Sequence, residues 1–299
     1  MVSSTKSSTS IYDEVEKHYG ATARTTDDSN YGQRVARAFG YSEDDLAGMP
    51  EDANLGLSCG NPLALANLRE GETVCDLGSG AGFDVFQAAK KVGKSGQAIG
   101  VDFNKDMLQR ANDIKAKIKA DNVSFVESRI TSIPLPDSII DCMISNCVVN
   151  LVPEEEKQLV FNEMFRLLKP GGRVAVSDIL AKTEMPSHIR DNMALYVGCI
   201  AGASQVADYD KYLRTAGFTD ILLVDSKSNL NVYWEAEGGE AGQCCGKPVA
   251  SACCGPQATQ PDIKTNGGCG SASDKAKQDA KDIDFNEFAG SFKIYAIKP

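Results

Sequence analysis

The sequence predicts an α/β fold in which helices cover a doubly wound, mostly parallel sheet. Between residues 72 and 178, short β-rich segments alternate with longer helical ones, a pattern typical of parallel strands joined by crossover helices. A glycine-rich loop follows the first of these strands, and an acidic residue ends the second. Both features are typical of the carboxyl edge of nucleotide-binding sheets.

The predicted elements follow one another in a regular order. In chain order the segments are ETVCDL, VFQAAKKV, QAIGVD, MLQRANDIKAKIKA, VSFVES, DCMISN, EKQLVFNEMFRLL and GRVAVSDI. The helix after Asp102 has its apolar residues on one stripe with lysines opposite, as expected for a helix packed on a sheet. Beyond residue 180 the pattern is helical as far as Tyr212, and the segments TDILLVDS and SFKIYAIKP then indicate two antiparallel strands.

These patterns divide the chain into six regions. We expect a disordered tail at 1–10, a helical cap at 11–70, a cofactor-binding α/β core at 71–180, a substrate-binding region that completes the sheet at 181–234, a flexible insertion at 235–282 and the last antiparallel strand at 283–299. The tail is nearly all serine and threonine, and the insertion is rich in cysteine and glycine. Neither composition favours a packed core.

Composition excludes several classes of protein. The 299 residues carry 31 basic and 41 acidic side chains, and this net charge of −10 argues against nucleic-acid binding. No apolar stretch approaches the roughly 18 to 20 residues that span a bilayer, and no secretory signal is evident. We therefore expect no membrane partner and a cytoplasmic location. Ten cysteines are too few for a disulfide scaffold of this length, and with only two histidines no closed zinc site is evident.

The glycine-rich loop predicts a nucleotide-like cofactor. Residues 76–82 read DLGSGAG between a strand and a helix, where glycines let a ligand approach the backbone. Asp102 follows Gly82 by 20 residues, at a position where a carboxylate accepts hydrogen bonds from ribose hydroxyls. The spacing differs from the GxGxxG of dinucleotide folds, and Asp76 would repel a pyrophosphate. A cationic cofactor is favoured, and S-adenosylmethionine is a cation that carries a ribose.

The segments VCDLGSGAG, IGVD and LLKPGGRVAVSD resemble motifs of class I methyltransferases, over roughly residues 70–299. The resemblance implies S-adenosylmethionine as methyl donor and a Rossmann-like, seven-stranded sheet whose last strand is reversed. After the third strand this family usually has an acidic residue against the adenine amino group, whereas this chain has Thr131 there, beside Ile130 for the ring face. The expected cofactor-binding residues are Asp76, Gly78, Ser79, Gly80, Gly82, Asp102, Phe103, Met107, Ile130, Thr131 and Asn146.

Three cysteines lie where the predicted fold brings the chain to one sheet edge. Cys147 follows the fourth strand, which neighbours the first at the topological switch point, so it is expected beside the cofactor loop. Cys59 precedes the first strand and Cys199 follows the fifth, in segments able to cover that edge. Cys75 and Cys142 lie inside predicted strands and are expected to be packing residues.

The contexts of these cysteines, SNCVVNLVPEEEK, NLGLSCGNPLALANL and MALYVGCIAGAS, resemble stretches of arsenite S-adenosylmethionine methyltransferases, and GYSEDDLAGMPEDANLGL extends the likeness upstream. The resemblance runs from about Ile11 to Phe218 and returns at the C-terminal strand. It implies that Cys59, Cys147 and Cys199 bind As(III) and carry the catalysis: Cys147 and Cys199 hold the metalloid beside the methyl group, and Cys59 either completes the pyramid or takes part in thiol-disulfide exchange. Trivalent arsenic is thiophilic, takes three sulfur ligands in a pyramid and keeps a nucleophilic lone pair. Positioning that lone pair roughly 3 to 3.5 Å from the methyl group leaves little need for a general base.

The chain departs from this family in one respect. Relatives often carry further cysteines after the YG of HYG, whereas residues 21–33 read ATARTTDDSNYGQ. The usual disulfide partner of Cys59 is therefore missing, and we expect glutathione, thioredoxin or a cysteine of the insertion to regenerate the site. The insertion cysteines either deliver arsenite by thiol exchange or are incidental to a disordered segment, which composition favours. They are Cys244, Cys245, Cys253, Cys254 and Cys269.

The sequence favours methylation of thiol-bound arsenite and methylarsenite, for detoxification or volatilisation, over two alternatives. The first alternative is a methyltransferase that acts on a small organic metabolite such as a quinone or sterol, with the cysteines as packing. Such an enzyme is expected to have a base near the methyl group and an apolar pocket, and the sequence displays neither. The second alternative is a thiol-rich metalloid-binding protein that has kept the fold without catalysis.

Overall fold

One seven-stranded sheet organises the chain in the computed structural model, which describes residues 8–25, 29–190, 192–232 and 284–299. The strands are β1 (Thr73–Leu77), β2 (Gln97–Asp102), β3 (Val123–Glu127), β4 (Ile140–Asn146), β5 (Leu168–Ala181), β6 (Thr219–Asp225) and β7 (Ala289–Ile297). Their order is β3-β2-β1-β4-β5-β7-β6. Neighbouring strands are parallel except that β7 is antiparallel to β5 and β6. The predicted sheet with one reversed strand is confirmed.

Helices pack on the sheet and over its carboxyl edge. They are α1 (Ser8–Arg24), α2 (Ser29–Ala38), α3 (Glu43–Leu46), α4 (Pro62–Ala66), α5 (Phe83–Val92), α6 (Lys105–Ile118), α7 (Lys157–Leu167), α8 (Ser187–Arg190), α9 (Met193–Val197) and α10 (Val206–Ala216). Residues 8–10 of the segment predicted as a tail belong to α1, while residues 1–7 and the predicted insertion at 235–282 lie outside the described residues. Across the described ranges, none of the helices has the length and apolar character that crossing a bilayer requires.

The sheet separates two apolar layers. Cys75 of β1 packs with the layer that α7 and α10 cover, and Cys142 of β4 packs with the layer that α4 and α5 cover. Both thiols are free and fully buried, which confirms them as packing residues. Because β1 and β4 are buried on both faces, only their carboxyl ends, at Leu77 and Asn146, are available to a ligand.

Helix α1 is fastened to α6 across the carboxyl edge of β2. The Asn104 side-chain amide donates to the Glu16 carbonyl at 2.9 Å, and Arg110 donates to the carbonyls of Ala23 and Thr25 at 2.9 and 2.8 Å. Asn104 also caps α6, since its side-chain oxygen accepts from two backbone N–H groups of the first turn. The helical cap is thereby held over the edge of the sheet where the predicted cofactor loop lies.

Arg173 of β5 ties the sheet to the segment that enters it. Its two terminal nitrogens donate to the Glu72 carboxylate at 2.9 and 2.8 Å, and its Nε donates to the Ala66 carbonyl at 2.6 Å. The side chains of this ion pair are only 12% and 13% exposed. A bidentate pair with so little solvent is costly to break, because its remaining partner stays buried and unpaired.

Replacing Arg173 with Ala is expected to lower the free energy of unfolding by about 3 kcal/mol, because Glu72 would lose its partner in a largely buried position. Urea denaturation followed by circular dichroism measures the change. Arg214→Ala is the matched control, since the exposed pair between Arg214 and Asp210 on α10 should contribute less than about 0.5 kcal/mol. Equal losses in the two variants would contradict the role given to Arg173.

Candidate functional site

A cavity opens at the carboxyl edge of β1, β2 and β4. Its wall includes Tyr12, Val15 and Tyr19 of α1, Asp76, Gly78, Ser79 and Gly80 of the glycine-rich loop, Asp102, Phe103 and Met107 after β2, Arg129 and Ile130 after β3, and Asn146 and Cys147 at the end of β4. Nine of the eleven predicted cofactor-binding residues are in this wall. Gly82 and Thr131 lie outside it: Gly82 is the N-cap residue of α5, and Thr131 follows Ile130.

The glycine-rich loop is held against β2 and against the end of β4. The backbone N–H groups of Gly78 and Ser79 both donate to the Val101 carbonyl, at 2.7 and 3.0 Å. Gly78 has a φ of +68°, and a Cβ there would lie 2.4 Å from the Val148 side chain. Only glycine meets both conditions, and the loop therefore touches the residue that follows Cys147.

Three carboxylates face the cavity. Asp76, Asp84 and Asp102 are 4%, 6% and 9% exposed. Burial raises the pKa of all three, and the neighbouring carboxylates raise that of Asp76 further. The pKa of Asp84 is raised to about 6, although hydrogen bonds from Tyr41 and Asn146 favour its charged form. A buried group of carboxylates strongly favours a cationic ligand.

Asn146 links the carboxylates to the cysteines. Its side-chain nitrogen donates to Asp84 at 3.1 Å, to the Tyr41 hydroxyl at 3.0 Å and to the Gly60 carbonyl at 2.9 Å. Its side-chain oxygen accepts from the Cys59 backbone N–H at 3.1 Å. One amide thus fixes both the carboxylate at the cavity wall and the turn that carries Cys59.

The side of the cavity beyond Asp102 is apolar. Phe103, Met107 and Ile130 line it, and Arg129 lies over the ring of Tyr12 with its guanidinium carbon 4.0 Å from the ring centre. The carboxylate of Asp102 accepts from the backbone N–H groups of Gly80 and Asn104 at 2.9 and 2.8 Å, which fixes its orientation. This arrangement suits a flat heterocycle beside a diol.

The three predicted cysteines come together at the edge of this cavity. Cys59 and Cys147 form a disulfide across 88 residues of sequence, with Cα atoms 5.9 Å apart. The Cys199 thiol donates to the Cys147 carbonyl oxygen at 2.8 Å. All three side chains are at most 5% exposed. The sequence left Cys59 without its usual partner, and the structure gives it Cys147 instead, so three thiols exist here only after reduction.

Cys147 and Cys199 share an unusual backbone conformation. Their φ angles are +61° and +66°, in the left-handed region that costs non-glycine residues about 1 to 2 kcal/mol. The Cys147 N–H donates to the Ser177 carbonyl at 2.8 Å, and the Cys199 N–H donates to the Tyr196 carbonyl at 2.9 Å. Strain of this kind persists where surrounding contacts hold a side chain in a required orientation.

Asp178 of β5 lies beside the disulfide. One of its oxygens and the sulfurs of Cys59 and Cys147 lie within 4.8 Å of one another. Asp178 is fully buried and accepts from the Asn150 amide at 2.8 Å and the Tyr209 hydroxyl at 3.3 Å. Burial raises the pKa of Asp178 to about 7, so that its neutral form is well populated near neutral pH.

The residues in the cavity wall fit S-adenosylmethionine. Asp102 suits the ribose, the apolar residues beyond it suit the adenine, and Asp76 and Asp84 suit the positive charges. Within the described ranges, the buried Ser79 hydroxyl has no hydrogen-bond partner, although it lies in the loop that would face the ligand. A buried polar group of this kind is rare unless a ligand or water satisfies it.

Sequence reasoning missed Asp84, Arg129 and Asp178. Asp84 lies in the first turn of a helix, where an acidic residue usually needs no further explanation. Arg129 immediately precedes the two residues predicted for the adenine, and sequence does not show which of three adjacent side chains turns inward. The sequence contained one indication that Asp178 is functional, since it is an acidic residue in a mostly apolar strand segment.

Comparisons with known proteins agree with this geometry. A family model described as "Methyltransferase domain" matches residues 68–217. An arsenite methyltransferase of Halobacterium salinarum is 45% identical over 67% of this chain and 51% of its own length. The arsenite methyltransferase of Mus musculus is 31% identical over 73% of this chain and 62% of its own length. The chain therefore spans about half to three-fifths of the length of these curated relatives.

A solved structure gives the same result. The arsenic(III) S-adenosylmethionine methyltransferase of Chlamydomonas reinhardtii is 31% identical, with a TM-score of 0.51, over 68% of this chain and 69% of that one. The reversed strand, the acidic cofactor loop and the cysteine cluster thus occur in a chain that is similar to several arsenite methyltransferases. This chain is a class I methyltransferase and belongs to the arsenite S-adenosylmethionine methyltransferase family.

Proposed function

We propose that this chain transfers methyl groups from S-adenosylmethionine to trivalent arsenic held by Cys59, Cys147 and Cys199. The observation that carries the proposal is that the bonded sulfurs of Cys59 and Cys147, with the Cys199 thiol against the Cys147 carbonyl oxygen, lie buried beside a cavity with an acidic, glycine-rich loop. The names of the relatives support it. The proposed substrates are arsenite and methylarsenite, and the proposed outcome is detoxification or volatilisation.

The three thiols bind the substrate by replacing its oxygens. Arsenous acid loses three hydroxides, each thiol loses a proton, and three As–S bonds and three waters form. Arsenic then keeps its lone pair at the apex of a sulfur pyramid, and sulfur is the donor that such a soft centre prefers. Cys147 belongs to the cavity wall, so substrate bound to it lies next to the cofactor.

When bound, S-adenosylmethionine supplies an electrophilic methyl group on a sulfonium centre. Asp102 would hold its ribose hydroxyls, and Phe103 and Ile130 would pack against its adenine, since all three residues line the cavity. Asp76 and Asp84 balance the positive charge of the methionine part in a site with little solvent, where such pairing is strong. Positioning of two reactants, rather than proton transfer, is then the main contribution of the chain to the rate.

The disulfide accounts for the electrons of the cycle. The arsenic lone pair takes the methyl group, S-adenosylhomocysteine leaves, and arsenic rises formally from +3 to +5. Two electrons return it to +3 when the As–S bonds to Cys59 and Cys147 break and these two sulfurs form the disulfide, so that the methylated arsenic stays on Cys199. The closed disulfide is the form that the structure has. A dithiol such as thioredoxin, or two molecules of glutathione, then reopens it by thiol-disulfide exchange. The insertion cysteines lie outside the described residues, so we give them no role in this cycle.

The two alternative functions each leave part of the site without a purpose. A methyltransferase of an organic metabolite would not require three buried sulfurs, and a non-catalytic metalloid-binding protein would not require the cofactor cavity. The division into six regions and the cytoplasmic location stay predictions.

Changing Cys147 or Cys199 to Ser is expected to lower methylation by at least about 100-fold, because a hydroxyl does not replace a thiolate on arsenic and a misplaced reactant costs about this much. Chromatography with arsenic-specific detection measures the products, and calorimetry should show unchanged cofactor affinity. Cys142→Ala, a buried cysteine in the packing layer, is the control and should retain activity. Undiminished turnover in either serine variant would remove that cysteine from the proposed ligand set.

Product formation is expected to require one dithiol per methyl group, because each transfer consumes two electrons. Reduced protein, freed of excess reductant and given arsenite and S-adenosylmethionine, should make about one methylarsenical per active site and then stop with the disulfide closed. Thioredoxin with its reductase should restore turnover. Sustained turnover without any added reductant would refute this account of the disulfide.

The dissociation constant for S-adenosylmethionine is expected to rise as pH falls through about 6, because protonated Asp84 no longer attracts a cation. At one pH unit below its pKa, about a tenth of Asp84 is charged, so affinity should fall about tenfold between pH 7 and pH 5. Calorimetric titration measures the constant. The Asp84→Asn variant should bind S-adenosylmethionine more weakly at pH 7, and its dissociation constant should change little with pH. An equal pH dependence in both proteins would show that a group other than Asp84 causes it.

A further inference from the structure

The loop that carries Cys199, residues 198–204, is tied to the segment that follows Cys147. The first tie is Asn150, which is fully buried. Its side-chain nitrogen lies 3.3 Å from the Cys199 carbonyl oxygen, 2.6 Å from the Ile179 carbonyl and 2.8 Å from Asp178. Three acceptor oxygens thus surround one amide nitrogen. Two of them belong to β5, the strand beside the disulfide, and the third is the carbonyl oxygen of Cys199.

The second tie is Lys157, whose side chain is 1% exposed. Its ammonium donates to the Gly202 carbonyl at 2.6 Å and to the Ser204 hydroxyl at 2.8 Å. A buried ammonium is tolerated only where its hydrogen bonds are satisfied, so this end of the loop has little freedom. Gly202 lies so close to the Asn150 backbone that a Cβ would be 2.1 Å from the Asn150 carbonyl oxygen.

Asn150 is an energetically unfavourable residue for its buried position. Its side-chain oxygen is buried and, within the described ranges, has no hydrogen-bond partner. An unsatisfied buried carbonyl destabilises a fold, so packing alone does not favour an amide here. The contacts of its side-chain nitrogen give a reason for the asparagine, because they connect the Cys199 loop to the strand beside the Cys59–Cys147 disulfide.

We propose that Asn150 is a positioning residue that sets the place of the Cys199 sulfur relative to Cys59 and Cys147, and thereby the affinity for arsenite. The inference rests on the proposed function. The left-handed backbone of Cys199 persists only if its surroundings hold it there, and the Asn150 amide lies against the carbonyl group of that same residue. Without the amide the loop relaxes, and the third sulfur leaves the position that a three-sulfur pyramid requires.

The first experiment compares arsenite affinities by calorimetry. The protein is reduced with a phosphine, which has no thiol to compete for arsenic. Asn150→Ala should raise the arsenite dissociation constant about fivefold to tenfold, while affinity for S-adenosylmethionine stays within about twofold. Asn122→Ala is the matched control: this side-chain amide also donates to two backbone carbonyls, those of Ala89 and Gly93 at the C-terminal end of α5, and neither belongs to the core cluster that holds Cys59, Cys147 and Cys199. It should leave arsenite affinity unchanged.

A double-mutant cycle separates positioning from general destabilisation. If Asn150 acts through Cys199, Asn150→Ala should raise the arsenite dissociation constant by less than about twofold when Cys199 is already changed to Ser. An equal loss in both backgrounds, or no loss in the wild-type background, would overturn the inference. Lys157→Met should show the same pattern from the other end of the loop, and it serves if the Asn150 variant does not fold.

A second readout does not depend on arsenic. Alkylation of Cys199 by iodoacetamide, followed by mass spectrometry of the reduced protein, should be severalfold faster in Asn150→Ala than in wild type, because the loop opens more often. An unchanged rate would overturn the inference whether or not arsenite binds. Failure of the wild-type protein to bind arsenite, with the expected alkylation result, would instead refute the proposed function and leave the positioning of Cys199 supported.

Discussion

The contact between Cys59 and Cys147 is the constraint on which the rest of the site depends. It joins a turn that precedes β1 to the residue that follows β4, and these two strands are neighbours in the sheet. Because the order of strands reverses at this point, the carboxyl end of β4 opens onto the loop that follows β1. The proposed cofactor site and the proposed site for a thiophilic substrate therefore lie next to each other.

Burial gives this neighbourhood its chemical character. Asp76, Asp84, Asp102 and Asp178 are all nearly or completely removed from water, and all have raised pKa values for that reason. A solvent-exposed set of carboxylates would be screened and would bind cations weakly. Here hydrogen bonds from Tyr41 and Asn146 hold Asp84, and two backbone N–H groups hold Asp102, so the field of these two carboxylates at the cavity is fixed before any ligand enters.

Much of this architecture follows from the sequence, because alternating strands and helices permit few topologies and the glycine-rich loop identifies the edge that binds a ligand. The contexts of Cys59, Cys147 and Cys199 likewise indicated their convergence. The pairing of Cys59 with Cys147 was not predictable, since a separation of 88 residues carries no information about how closely two sulfurs approach. The inward turn of Arg129 was hidden for a related reason, because it depends on the ring of Tyr12 in a distant helix.

The start of α1 shows the same limit. Ser8 lies in a serine- and threonine-rich stretch that resembles a disordered tail, yet its hydroxyl donates to Glu155, 147 residues away. Contacts made only in the folded chain thus hold this part of the helix against the rest of the fold. Local composition indicates the conformation that a segment prefers in isolation, and a contact with a distant part of the fold can change that conformation.

The close approach of Gly78 to Val148 has a broader meaning for how the two halves of the site work together. The loop that would hold the methyl donor and the segment proposed to hold the acceptor are in direct contact, with no space between them for a side chain. Donor and acceptor are consequently spaced by the fold itself and not by a flexible hinge. A Cβ at Gly78 would force the loop and the segment apart, and so would slow the proposed reaction without removing any group that takes part in it.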